Sequence, residues 1–370
     1  MSQTPAVSVV VPLYNKLPYI LRCLDSIQRQ TFRDFEVIVV NDGSTDGSEM
    51  IASALMDSRV TVVTQDNRGS GAARNRGIAR AKAELIAFLD ADDTWEEGFL
   101  QAIVDLASKH PEAGVFATGY RRCFGTGIDK EVTLRAPEGS RTCVVTKYLP
   151  IKRYGGGITS SSVAVRRALL TRLGGFLEGH PLGEDHDLWV RLSLYSPIVF
   201  DTRILAVYHS EADGRVCRVL EHEVHPPPPA VSSLRLLLSE GAVPDAVRRN
   251  VEFHIEWLLF NHIVTMLYTT RRAEITALLR SERFRVLRFR LGARLIQFAL
   301  SFLPSRLMAG VRLKAATALW AIRKTPLLGK FVSLAEVFAG RPVLIRLVRT
   351  PEEPVRALAK APSEDAALTR

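Results

Sequence analysis

Over the first 110 residues, short β-branched runs alternate with stretches of helical spacing, and few folds accept that alternation. VSVVVPLY (7–14), FEVIVVND (35–42), VTVVT (60–64) and LIAFLD (85–90) read as strands. Residues 17–30, 48–56 and 71–81 between them carry apolar side chains at helical intervals. Strands apolar on both faces and separated by helices predict an α/β fold with a mostly parallel sheet flanked by helices. In such sheets ligands sit beyond the carboxyl ends of the strands. That rule gathers four polar clusters on one rim: Pro12-Leu13-Tyr14-Asn15, Asn41-Asp42-Gly43-Ser44, Asp66-Asn67-Arg68 and Asp90-Ala91-Asp92.

The last cluster belongs to FLDADDTW (88–95), where an apolar run meets three acids. One reading is turn chemistry, with Asp93 or Thr94 capping a helix from Trp95-Glu96-Glu97. The other is a divalent cation, because Asp90 and Asp92 offer the hard oxygens that Mg²⁺ or Mn²⁺ prefers. GSGAAR (69–74) follows a strand and opens a helix, but it lacks the third glycine of a dinucleotide fingerprint and sits on the third βα unit. Arg74 and Arg76 place positive charge near that helix N-terminus, which suits a diphosphate.

Composition, 47% hydrophobic, suits a globular core rather than a disordered chain. The net charge of +10 is uneven: residues 1–230 hold 26 Lys and Arg against 28 Asp and Glu, the remainder 23 against 11. The four cysteines, Cys23, Cys123, Cys143 and Cys217, show no C-x-x-C spacing, which predicts buried thiols in a reducing compartment. No basic region followed by a signal-length apolar stretch opens the chain, and no run reaches 18 apolar residues. The expectation is a cytoplasmic protein without a transmembrane span. G-x-S-x-G, H-E-x-x-H, paired C-x-x-C and Walker motifs are absent, so hydrolase and NTPase readings have no specific support.

Five segments in order, VSVVVPLYNK, VIVVNDGSTDGS, DNRGSGAARNRGI, IAFLDADDTW and GGFLEGHPLGEDHDLWVRL, resemble the family 2 inverting glycosyltransferases over residues 6–220. The resemblance implies a nucleotide-diphospho-sugar-binding domain of the GT-A type and a sugar donor, UDP-linked in the first instance. It implies that Pro12 and Tyr14 flank the base, with Tyr14 stacking on it, and that Asp42 accepts a hydrogen bond from the base imide. The alternatives are a half-buried strand-end aromatic for Tyr14 and a turn residue for Asp42. Asp90 is implied at the ribose or the metal shell and Asp92 as direct ligand of Mn²⁺ or Mg²⁺, where a cation neutralises the departing diphosphate.

GEDHDLWVRL (183–192) then supplies the acceptor half of the reaction. The resemblance makes Asp185 the general base that deprotonates the acceptor hydroxyl, and gives Glu184 the role of holding the acceptor or orienting the loop. The alternative for Asp185 is a helix N-cap. Asp187 and Arg191 stand at i, i+4, the spacing of a local ion pair worth a few tenths of a kcal/mol. His209, after the strand-like ILAVY, is either a metal or diphosphate ligand or a structural histidine. Ser160 to Ser162 read as a loop feeding an edge strand beside the acceptor.

HPPPPA (225–230) predicts a stiff extended linker, closing a catalytic domain at 1–224 and opening a basic helical region at 231–350, with a disordered tail at 351–370. Helices are expected near 231–239, 245–269 and 271–280. From Arg283 to Lys330 eleven bases and no acid are interleaved with leucines and aromatics. That pattern fits an anionic membrane surface on the inner face, and equally a helical partner interface or a solvated basic face. No recognised module points to nucleic acid. A glycan or lipid-linked glycan is the acceptor class that a surface-bound enzyme would meet.

Overall fold

The computed structural model describes residues 4–54, 57–126, 128–146, 148–149, 157–213, 226–266 and 272–282, isolated positions from 284 to 296, and a strand at 343–349. The first half alternates as the β-branched runs dictate: β1 (Val7–Leu13), α1 (Leu17–Gln28), β2 (Phe35–Asn41), α2 (Ser48–Ala54), β3 (Val60–Thr64), α3 (Ser70–Arg80) and β4 (Leu85–Phe88). A two-residue strand β5 (Thr94–Trp95), α4 (Phe99–Lys109), β6 (Val115–Cys123), β7 (Ile128–Leu134) and β8 (Thr142–Val145) follow. A 3₁₀ turn at Ser160–Ser162 leads into β9 (Val163–Arg166), α5 (Arg167–Arg172), α6 (Glu184–Tyr195) and β10 (Ile198–His209). The helical region comprises α7 (Pro229–Ser239), α8 (Asp245–Met266) and α9 (Arg272–Ser281), and β11 (Val343–Arg349) is the last element.

The strands form one sheet in the order β11-β7-β6-β9-β4-β1-β2-β3, with β10 pairing β5, β6 and β8. The expected parallel arrangement holds where the strands alternate with helices, since β4, β1, β2 and β3 pair parallel. Beyond β4 the sheet is mixed: β9 runs antiparallel to both β4 and β6, while β10 runs parallel to β6. The strand after the serine run is therefore central and not at an edge. Its four residues, Val163 to Arg166, lie between two neighbours, and its three apolar residues are buried.

Alternate residues of β1 feed two cores. Val7, Val9, Val11 and Leu13 pack with Ile20, Leu24 and Ile27 of α1 and with Phe99 and Ile103 of α4. Val10 packs on the opposite face with Phe88, Ala73 of α3, Phe176, and Leu188 and Trp189 of α6. Each fully buried side chain of this size contributes about 1.5–3 kcal/mol. Gly77 lets α3 lie close on β1, because a Cβ there would fall 2.3 Å from Val10 Cγ1. Thus α3 and α6 share one face of the sheet, and their N-termini both reach its carboxyl rim.

The proline run differs from the expected linker at its end. Pro228 is the N-cap and Pro229 opens α7, where a fixed φ and a missing N–H cost nothing. Ala230, Val231 and Leu234 of α7 and Val251, Ile255 and Leu259 of α8 then bury Leu149 and Val190, the latter on α6. The helical region therefore shares a core with the domain before it. Among the described residues no helix is long and apolar enough to cross a membrane. The run of eleven bases lies outside the described residues apart from isolated positions, and so does the tail at 351–370.

Candidate active site

The rim is built from strand exits that fold back onto one another. Tyr14 follows β1 and is 45% exposed, while Pro12 within β1 is half-buried. Asn15 takes a left-handed φ of 50° and its side-chain oxygen accepts the Thr45 N–H at 2.8 Å, tying the first exit to the second. Asp42 is buried behind this rim. Its carboxylate accepts the Arg68 N–H at 2.9 Å, the Gly69 N–H at 2.8 Å and the Gln65 amide at 2.8 Å, so it organises the loop that leads into α3.

The three acids after β4 take three different partners. Asp90 accepts Arg74 Nη2 at 2.6 Å. Asp92 pairs with Lys16 Nζ at 2.9 Å, and its carbonyl accepts an Arg22 N–H at 3.0 Å. Asp93 is fully buried and does not cap a helix: it accepts the Ser161 hydroxyl at 2.6 Å and the His209 N–H at 3.0 Å. No helix starts at Trp95. Thr94 and Trp95 pair with β10 instead, and α4 begins at Phe99 with Gly98 as N-cap. Cys23 lies beneath the cluster with its thiol 3.6 Å from the Asp90 carbonyl. Burial first, then Asp93, Asp92 and Asp90, push that thiol well above its ordinary value and keep it protonated.

The acceptor-side segment meets these acids through α3. Arg74 is buried, donating Nη1 to Glu184 at 2.9 Å while Nη2 holds Asp90. Ser70 Oγ donates to the same Glu184 oxygen at 2.6 Å. Burial opposes the Arg74 charge, but Asp90 and Glu184 more than offset it and raise its affinity for the proton. Arg74 is thus paired with two carboxylates, whereas Arg76 stays exposed.

Gly183, with φ 84°, is the N-cap of α6, so Asp185 sits inside the first turn and is not the cap. Asp185 is half-buried, and among the described residues the hydrogen bond its side chain accepts comes from the next N–H, that of His186. The Asp187–Arg191 pair exceeds the local helix pair its spacing predicts. Asp187 is fully buried, and Arg191 also donates to the carbonyls of Leu173 and Gly175 at 2.6 and 2.7 Å, clamping the loop before α6.

His209 stands at the end of β10 with Nε2 3.1 Å from Thr94 Oγ1 and Nδ1 2.8 Å from Glu211 Oε1. Ligation of a metal by this ring would require one of those bonds to open. Among the described residues no three Asp, Glu, His or Cys side chains are grouped to hold an ion. The donor set nevertheless fits Mg²⁺ or Mn²⁺ held by Asp92, with Asp90 beside it in sequence, since such ions use one or two carboxylates and take further oxygens from a bound phosphate. Lys16 Nζ already contacts Asp92, so an ion there would share or displace that contact.

Sequence reasoning missed Lys16 and, within the serine run it singled out, the role of Ser161. The lysine closes VPLYNK, one of the quoted segments. Ser161 accepts the Asp90 N–H at 3.2 Å and donates to Asp93, a role that only the burial of β9 beside β4 reveals.

Comparison with known proteins agrees with this geometry. Residues 8–172 match the family described as Glycosyl transferase family 2. An uncharacterized glycosyltransferase of Rickettsia felis is 30% identical over 218 residues, 57% of this chain and 35% of its own length. Glycosyltransferase GlyG of Streptococcus pneumoniae is 44% identical over 100 residues, 26% of this chain and 33% of its own. The chain therefore spans about a third of the length of these relatives. Among solved structures, S. aureus TarS 1–349 in complex with UDP-GlcNAc superposes with a TM-score of 0.57 at 18% identity, covering 86% of this chain and 91% of that one. The mannosyltransferase PcManGT of Pyrobaculum calidifontis, in complex with GDP-Man and Mn²⁺, gives 0.51 at 22%, covering 88% and 89%. These likenesses establish a shared GT-A fold, and the family match carries the identification as far as it reaches: residues 8–172 form a glycosyl transferase family 2 domain.

Proposed function

We propose that the chain is a metal-dependent inverting glycosyltransferase that moves a sugar from a nucleotide-diphospho-sugar, UDP-linked, to an acceptor hydroxyl. The observation that carries the reading is one guanidinium, Arg74, spanning Asp90 and Glu184: the acids expected on the donor side and those expected on the acceptor side belong to one site. UDP-GlcNAc and UDP in the TarS structures, and GDP-Man with Mn²⁺ in PcManGT, support a nucleotide-sugar donor and a divalent ion.

In this reading exposed Tyr14 stacks on the base, with Pro12 beside it, and Asp42 holds the rim that receives the base. Asp92 would hold the metal, with Asp90 near it and His209 as a further ligand if its bond to Thr94 opens. When bound, the ion neutralises charge on the leaving diphosphate. Lys16, already on Asp92, adds a second cation at the same place. Asp185 accepts the proton of the attacking hydroxyl, and a single base without a partner nucleophile favours one displacement with inversion. The acceptor is a glycan or lipid-linked glycan in cell-envelope or extracellular glycan assembly. Eleven bases without an acid between Arg283 and Lys330 support an anionic membrane surface on its cytoplasmic side as the working place.

The test is product release from a panel of nucleotide sugars with Mn²⁺. Free nucleoside diphosphate is expected. Pyrophosphate would show a nucleotidyltransferase, and binding without release a sugar-nucleotide-binding scaffold.

A further inference from the structure

We propose that Arg74 is a positioning residue that sets the spacing between the donor-side and acceptor-side carboxylates, so that the loop ending in Asp185 lies in register with the strand exit that receives the diphosphate. This rests on the glycosyl-transfer reading and goes beyond it, because the pattern around GSGAARNR had suggested a phosphate contact for this arginine.

Three sets of contacts carry it. The guanidinium is a rigid fork that satisfies two carboxylates at once, Nη2 on Asp90 at 2.6 Å and Nη1 on Glu184 at 2.9 Å, across 110 residues of sequence. Its carbon centre also lies 5.2 Å from the ring of Phe176, which packs edge-on against Phe88 and Trp189. Second, α3 holds the acceptor loop at further points. Asn75 accepts the Phe176 N–H and donates to the Phe176 carbonyl, both at 2.9 Å, and a Cβ on Gly71 would fall 2.6 Å from the Leu177 carbonyl oxygen. Third, Arg191 fixes the same loop from α6 through Leu173 and Gly175. Arg74 alone among these extends the hold to Asp90. Its charge is shared between Asp90 and Glu184.

Lysine at this position keeps the charge but, as a point donor, loses the fork. Arg74→Lys and Glu184→Gln, singly and together in the full-length chain, therefore test the bridge by three readouts. Amide hydrogen exchange over 174–187 should rise about tenfold in each variant while β1 to β4 are unchanged. The calorimetric Kd for UDP with Mn²⁺ should stay within about threefold, and kcat for UDP release from the donor consumed by the wild type should fall about 10²-fold, as expected of a misplacement near 1 Å. The double variant should be no slower than Arg74→Lys.

UDP affinity falling in parallel with kcat would make Arg74 a diphosphate ligand and overturn the proposal. So would a lowered Tm with kcat per folded molecule unchanged, the mark of a purely structural pair. A wild type that consumes none of the sugar nucleotides contradicts the glycosyl-transfer reading. The exchange data then decide the bridge: loosening of 174–187 in both variants sustains it, and unchanged exchange refutes it.

Discussion

The donor rim and the acceptor helix both present carboxylates, and the two regions treat them in opposite ways. On the rim four acids are already held, Asp42 by three N–H groups, Asp90 by Arg74, Asp92 by Lys16 and Asp93 by Ser161 and a backbone N–H, while Asp66 is exposed. On α6 Glu184 and Asp187 are held by arginines, and among the described residues Asp185 between them takes the N–H of His186. An ion arriving at the rim would compete with these partners, first of all with Lys16 on Asp92. A group that must accept a proton keeps a free lone pair and a half-buried position. In the reading proposed above, that difference sets Asp185 apart from the carboxylates assigned to binding.

The strongest way to break this contrast is at Asp92. Asp92→Ala should lower turnover by about 10³-fold or more and abolish Mn²⁺-dependent UDP binding, because the leaving diphosphate loses its counter-charge. Retained Mn²⁺-dependent binding would move the ion elsewhere. Leu234→Ala probes the support of the acceptor helix: Leu234 is fully buried in the core that α7 and α8 form against Val190. A loss of about 2–5 kcal/mol is expected in denaturant unfolding, with UDP affinity of the folded protein unaltered. A loss confined to a few tenths would mean that the helical region is not part of the same cooperative unit.

Asp42→Ala strands the N–H groups of Arg68 and Gly69 and should weaken UDP binding about 10- to 100-fold for every sugar on that base. A change in sugar preference with base preference intact would remove Asp42 from the base side. The smallest effect belongs to Arg68→Ala. Its ion pair with Glu178 also joins α3's approach to the acceptor loop, but the two side chains are 64% and 40% exposed. Stability should change by less than about 1 kcal/mol, and turnover by less than about fivefold. An effect as large as that of Arg74→Lys would show that the exposed contact, and not the buried fork, registers the loop.

How much of this was legible in the sequence follows from the range of the interactions. Strands β1 to β4 announce themselves because a strand buried on both faces must be apolar at successive positions, a purely local pattern. The Asp-rich exit of β4 stands out for the same reason. Arg74 with Glu184, or Ser161 with Asp93, join residues 110 and 68 apart, and no spacing rule reaches that far. Asp93 illustrates the limit: beside Thr94 it has the signature of a cap, yet the backbone of His209 claims it once β10 pairs with β5. The proline run misleads in a related way, since Pro229 at a first helical turn looks in isolation like the continuation of a linker.

The most direct test of the division between binding and reacting carboxylates is calorimetric titration of UDP with Mn²⁺ into full-length Asp185→Asn, alongside its turnover. The substitution keeps the shape of the side chain and removes its basicity. UDP affinity equal to that of the wild type, with transfer slowed by about 10²- to 10⁴-fold, is the predicted result. Affinity that falls as far as turnover would contradict it, and would make Asp185 one more binding carboxylate of the rim.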